Sequence, residues 1–280
     1  MSLQKTELGW LLACKRRGAS HRRNNVPCQD AYARSKTIKN KSCIALAVAD
    51  GHGDSQHDLS EQGAILATTL AVKKLVEFCD NFANSPMLLK KNFKQDFPRL
   101  IGRHWRQAVL KDAATRFPLQ IDNSKDISQL IRRYGTTLLV ALIQPDALLL
   151  GQIGDGDILC ISPEGDVKRP LNQNKEFIGN VTYSLSSPGA DKLWQTATLT
   201  RHKGNALLLA TDGLSNAFTD EAQFHVFARS LLTRIKEFGI ESVDAAMPQW
   251  LDDYSEHATG DDITLLIFND TFPLPSQLQS

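Results

Sequence analysis

Six short apolar runs constrain this chain more than anything else in it: CIALAVAD, TTLLVALI, ALLLGQIGD, DILCIS, ALLLATDG and ITLLIF. Each is strand-sized, and several are almost continuously apolar. That pattern belongs to strands covered on both faces, by a second sheet on one side and by helices on the other. Pro145 and Asp146 separate two of the runs by a short turn, which predicts an antiparallel hairpin. Between the first strand group and the second, Ile65, Thr69, Val72, Val76 and Cys79 predict one helix face. Phe97, Ile101, Trp105 and Ala108 predict another, with Pro98 in its first turn. Phe224, Phe227, Leu231, Ile235 and Phe238 form a third stripe, with Thr219 or Asp220 as its N-cap and Gly239 as its stop. Residues 243 to 254 also read as helix, kinked or broken by Pro248, and residues 163–195 as loop-rich. Strands, two helices, strands, then helices and a last strand argue for antiparallel sheets layered with helices, not for a doubly wound parallel fold.

The 280 residues suit one large layered domain, expected over residues 1–270, with 271–280 as a frayed tail. A balance of 32 Lys+Arg against 31 Asp+Glu removes the main electrostatic argument for a nucleic-acid or anionic-membrane partner. No apolar run approaches the ~20 residues of a membrane span, and MSLQKTELGW lacks the order of a signal peptide, so cytoplasmic residence is expected. Five widely spaced cysteines without a CxxC pair predict free thiols instead of disulfides or a zinc site. The basic run CKRRGASHRR reads as a solvated face or an anion-attracting rim.

Acidic residues recur where the apolar runs end. Asp50 follows CIALAVA, Asp155 follows LLLGQIG, Asp212 follows ALLLAT, and Asp261 precedes ITLLIF. Singly, Asp beside Gly is an ordinary turn. Four carboxylates gathered at one rim would instead repel, and divalent cations would resolve the repulsion; all-oxygen donors select hard ions such as Mg²⁺ or Mn²⁺. Two such ions acidify a shared water and hold a phosphoryl oxygen for attack, which suggests phosphoester hydrolysis. The carbonyl of Gly51 can approach an ion closely, and His52 is either an exposed turn histidine or a proton donor to a leaving alkoxide. His57, His104, His202, His225 and His257 show no ligand spacing and read as surface or packing residues.

In order, PCQDAY, VADGHGD, GTT, GQIGDGDILCIS, LLLATDGLSNAF and GDDITLLIF are similar to the ordered motifs of the metal-dependent protein phosphatases of type 2C (PPM), and to a bacterial subgroup of them. The resemblance covers nearly the whole chain. It implies an α+β fold of two antiparallel sheets packed as a sandwich between helices (αββα). It also implies hydrolysis of phosphoserine and phosphothreonine in proteins by a water bridging two Mn²⁺ or Mg²⁺ ions, with a possible third ion. The substrate would be a phosphorylated protein, the product of a serine/threonine kinase. By the same resemblance Asp50 bridges both metals, Gly51 contributes its carbonyl, Asp212 and Asp261 complete the first site, and Asp155 with Asp212 forms the third position. Asp30 orients the attacking water and His52 donates the proton. The family's phosphate-binding arginine falls on Asn25, which leaves Arg22, Arg23 or His21 as candidates, and Gln29 and Gly156 also depart from the pattern. The departures leave open a second reading, a catalytically weak module that binds phosphopeptides or a kinase. A two-metal nuclease is disfavoured by the near-neutral charge.

Overall fold

The computed structural model describes residues 3–35, 43–117, 124–171 and 182–271. Along the chain run β1 (Gln4–Lys5), β2 (Trp10–Arg16), α1 (Ala19–Arg23), β3 (Ala31–Arg34), β4 (Ile44–Ala49), α2 (Ser60–Asn81), α3 (Pro86–Arg116) and α4 (Ser124–Arg133). There follow β5 (Leu138–Ile143), β6 (Ala147–Ile153), β7 (Asp157–Ile161), β8 (Val167–Lys168), β9 (Gln195–Thr200) and β10 (Ala206–Ala210). The chain then continues through α5 (Asp212–Ser215), α6 (Glu221–Phe238), α7 (Ile240–Tyr254) and β11 (Ile263–Asn269). One sheet has the order β1-β2-β11-β10-β7-β8 and the other β3-β4-β5-β6-β9, with antiparallel pairing throughout.

The two-sided burial of the strands explains their composition. Leu46 and Val48 of β4 and Leu139 and Ala141 of β5 meet Leu207 and Leu209 of β10 and Leu266 and Phe268 of β11 between the sheets. Alternate residues point outward. Ala45, Ala47 and Ala49 lie under α2 and α3, while Leu208, Leu265 and Ile267 lie under α6 and α7. This is the αββα sandwich expected from the sequence. The β5–β6 hairpin also forms, closed by Gln144 donating to the Ala147 carbonyl at 2.8 Å.

Several local expectations need correction. The buried face of α2 is Ala64, Ala67, Ala71, Leu75 and Phe78, and Ile65 is 39% exposed. Small alanines let the helix lie close on the alanines of β4, so size decided the face more than hydrophobicity. Pro86, not Pro98, occupies the first turn of α3; Pro98 lies inside that helix, and Val109 takes the buried place expected for Ala108. α7 runs through Pro248 as one helix. α4 was not foreseen, nor were β2, β3 and β9. GQIGDGDILCIS spans both sheets, because β6 and β7 belong to different sheets and the Gly154–Gly156 turn crosses between them. Asp220 caps α6 by accepting from the Gln223 N–H at 2.8 Å. The stretch 163–195 holds β8, the 3₁₀ turn Ala190–Lys192 and the start of β9, while 172–181 and 272–280 lie outside the described residues. Among the described residues no helix is long and apolar enough to cross a membrane.

Candidate active site

Strand register places the four recurrent aspartates at one end of the sandwich. Ala210 pairs with both Leu265 and Asp157, and Ile263 pairs with Arg16, so Asp212 and Asp261 leave the first sheet at the same edge. Ala49 pairs with Ala31, and Leu138 with Ile153, which puts Asp50 and Asp155 at the corresponding edge of the second sheet. All four are partly exposed, while Asp30, just before β3, is fully buried beneath them.

The backbone around Asp50 is fixed by the two threonines of GTT. Thr136 Oγ1 and the Thr137 N–H each donate to the Asp50 carbonyl at 2.8 Å, and the Asp50 N–H donates to Thr137 Oγ1 at 3.0 Å. Gly51 continues as a bridge to Thr136, and a Cβ there would stand 2.8 Å from the Gln29 carbonyl oxygen. At Gly213 a Cβ would collide with the Asp262 carbonyl. Its absence lets the turn from β10 into α5 rest on the Asp261–Asp262 segment, which brings Asp212 beside Asp261.

The electrostatics follow from that crowding. Burial, then the charges of Asp30 and Asp212, push the Asp50 carboxyl well above the ordinary range. Burial and then Asp155 raise Asp212 to about 6, and burial raises Asp261. Asp50 and Asp212 adjoin, and two carboxyls bridge only when one carries a proton. Asp212 Oδ2 accepts from Asn216 Nδ2 at 3.0 Å, and apart from the proton it can share with Asp50 its buried Oδ1 receives no donor among the described residues. None of Asp50, Asp155, Asp212 and Asp261 is ion-paired with Lys or Arg among those residues. Such a set calls for an external cation, and its all-oxygen chemistry suits Mg²⁺ or Mn²⁺. Among the described residues no three acidic, His or Cys side chains are drawn together as a ready-made cage.

The remaining residues singled out by the sequence are placed as follows. Asp30 Oδ2 accepts from Thr211 Oγ1 at 2.8 Å, the Thr264 side chain lies near it, and burial followed by the nearby Asp262 pushes its carboxyl up to about 8. His52 is partly covered, and burial followed by His57 holds it below the usual imidazole value; the two rings meet edge to face at 4.7 Å. His57, expected at the surface or in packing, is buried with Nδ1 2.8 Å from Asp54 Oδ1. Arg22 contacts Asp252 and Glu256 at 3.3 and 3.2 Å, and Arg23 contacts Glu256 at 3.1 Å. Their helix α1 is tied to the rim, since the Ser20 N–H donates to the Gly260 carbonyl at 2.8 Å. Asn25, at the family's arginine spacing, is exposed with φ 56°.

Two participants escaped the sequence reading. Asp262 is buried and accepts from the Gly18 and Gln29 N–H groups at 2.6 Å each, with His21 Nδ1 3.0 Å away, so it fastens the early acidic segment to the last strand. Asp261 and Asp262 are adjacent acids of identical type, yet Asp261 is partly exposed at the rim and Asp262 is a buried tie. Thr182 Oγ1 donates to Asp155 Oδ2 at 2.6 Å, a contact across 27 residues that no local pattern announces.

A sequence profile of the family described as protein phosphatase 2C matches residues 17–252. No curated protein matches the chain. Among solved structures, the fold is similar to the Mycobacterium tuberculosis serine/threonine phosphatase PstP/Ppp, with a TM-score of 0.59 and 18% identity over 93% of this chain and 97% of that one. It is similar to RsbX in complex with magnesium, with a TM-score of 0.55 and 17% identity over 95% of this chain and 98% of that one. The PstP catalytic domain in complex with two manganese ions gives a TM-score of 0.53 and 18% identity over 92% of this chain and 98% of that one. Identities this low speak for the fold, and the profile match across most of the sequence speaks for the family: the chain belongs to the protein phosphatase 2C family.

Proposed function

We propose that this chain hydrolyses phosphoserine and phosphothreonine in proteins with Mn²⁺ or Mg²⁺ at the strand-end rim, its substrates being products of a serine/threonine kinase in the cytoplasm. One observation carries the reading: Asp50, Asp155, Asp212 and Asp261 come from both sheets to one edge, and burial and mutual repulsion raise Asp50, Asp212 and Asp261. Asp50, the Gly51 carbonyl, Asp212 and Asp261 are the residues to hold two ions, with Asp155 and Asp212 for a third. When bound, the ions offset the carboxylate charge, acidify water and polarise a phosphoryl oxygen for in-line displacement.

The chain's own residues do the rest. Thr136 and Thr137 hold Asp50 at fixed height. Asp30, kept protonated near neutrality by its burial, presents a hydrogen-bonding carboxyl beneath the rim for orienting water. His52, held below the usual imidazole range, gives up its proton readily, which suits a donor to the leaving alkoxide only once that group is close enough to make the transfer favourable. Arg22 or Arg23 can take the phosphate only by exchanging its present carboxylate partner for it.

That last point favours a second reading, a weakly catalytic module that binds phosphopeptides. Purified protein assayed on p-nitrophenyl phosphate and on a phosphothreonine peptide with added Mn²⁺ decides between them. Turnover abolished by Asp50→Asn supports the hydrolase. Peptide binding without turnover supports the module.

A further inference from the structure

A groove of about 440 Å³ lies between one face of α3 and the segment that precedes β9. Arg99, Arg103 and Arg106 line it from the helix at spacings of four and three, so all three guanidinium groups share one face while Phe97, Ile101 and Trp105 fill the core behind. Arg99 contacts Asp96 at 3.3 Å, but Arg103 and Arg106 form no ion pair among the described residues. The opposite wall carries Ser187 and Asp191. Three arginines therefore face a single aspartate across a concave surface, in a chain whose overall charge is only +1. Gly102 and Gly189 border open space, since a Cβ on either meets nothing within 4 Å.

The segment that forms one wall of the groove is hydrogen-bonded to the rim. Leu185, on its floor, donates its N–H to the Thr136 carbonyl at 2.9 Å, and Thr136 holds the Asp50 carbonyl. Three residues earlier Thr182 grips Asp155. Thr182 and Ser187 are five residues apart, so at most about 18 Å of extended chain separates the residue that grips Asp155 from the groove wall that faces the arginines. A substrate strand lying alongside covers that span in about five residues.

We propose that this groove binds an acidic stretch of the substrate polypeptide, within about five residues of the phosphorylated Ser or Thr, with Arg103 and Arg106 as specificity-determining residues. The proposal deepens the phosphatase reading and rests on it for the word substrate. Planar guanidinium groups suit carboxylates, and two of them without an ion-pair partner among the described residues, in a concave site, sort peptides by where their negative charges fall.

Two measurements test it. Fluorescence anisotropy with a short unphosphorylated Asp/Glu-rich peptide, at physiological salt, reads the groove without catalysis. Arg103→Ala/Arg106→Ala is expected to weaken binding about tenfold, and Gly102→Trp to weaken it by blocking the groove. Unchanged affinity in both variants overturns the proposal, as does binding of a single-stranded oligonucleotide in place of the peptide. Hydrolysis of two phosphothreonine peptides, one with an Asp pair five residues from the phosphate and one with Ser there, is expected to favour the acidic peptide about tenfold in kcat/KM in the wild type. The double variant should lose that preference while keeping its p-nitrophenyl phosphate turnover; a preference that survives overturns the assignment. Absence of all turnover in the wild type would sink the phosphatase reading, and the anisotropy result would still judge the groove.

Discussion

Asp157 and Asp262 are buried as deeply as any side chain at the strand-end rim, yet each has its charge answered from within the protein. Arg169 pairs with Asp157, and two backbone N–H groups and His21 surround Asp262. Asp50, Asp155, Asp212 and Asp261 keep contact with solvent and have no such cation. The difference teaches which acids hold the fold and which await something from outside. Burial with a cationic or backbone partner fits a tie; partial exposure without a cation among the described residues fits the ion site proposed above.

The sharpest way to break this contrast is to neutralise one acid of each set. Asp50→Asn or Asp212→Asn should lower Mn²⁺-supported turnover by roughly 10²–10³-fold or more, on the scale of losing a preorganised electrostatic group. The same change should raise the melting temperature in EDTA, because it removes repulsion. A fall in that melting temperature would mean that these acids are structural after all. Asp262→Ala should do the reverse: two buried N–H groups lose their acceptor at about 1–3 kcal/mol each, so the urea midpoint drops whether or not metal is present.

Asp30 belongs to neither set and separates them by pH. Its carboxyl, raised to about 8 when folded, keeps a proton that the unfolded chain has already released above an ordinary value near 4. The folded state therefore binds more protons between pH 4 and 8, and stability is full below that window and declines as pH rises through it. Urea midpoints of wild type and Asp30→Asn should diverge from pH 5 to pH 8, the wild type losing on the order of a few kcal/mol relative to the variant. Divergence in the opposite direction would place a charged carboxylate there.

Smaller effects sharpen the edges. Arg22→Ala/Arg23→Ala removes exposed ion pairs and should cost less than about 1 kcal/mol by thermal unfolding. A KM for phosphopeptide raised with stability intact would identify these arginines as phosphate ligands that exchange partners. Cys14 and Cys160, both pushed by burial to about 11, should resist iodoacetamide at pH 7.5 in the native protein and react on unfolding, as monitored by mass spectrometry.

Much of this was readable in the sequence, for identifiable reasons. Continuous apolar runs exist only where a strand is covered twice, so the sandwich was implicit in residues such as Leu138–Ile143 and Ile263–Asn269. The four rim aspartates were legible because each interrupts such a run. The buried face of α2 was not, because alanine carries little hydrophobic signal and its value there is closeness. α4 was hidden by its brevity, with Leu130 and Ile131 as its buried anchors. Asp262 was masked by its twin, and the bond from Thr182 to Asp155 depends on a meeting that tertiary structure alone creates. The arginines of α3 look in sequence like any solvated helix face; only the opposing wall turns them into a groove.

The turn from Ile153 to Asp157 leaves one sheet and enters the other, and it carries Asp155 on the way. If the rim aspartates of both layers hold the ions as proposed, cation capture becomes a clasp between two halves of the molecule. Any slip of one layer over the other, for instance after truncating Leu209 in the seam, would surface as weakened manganese affinity before it appeared as unfolding. A half-assembled chain, with one layer formed, would hold no ion at all.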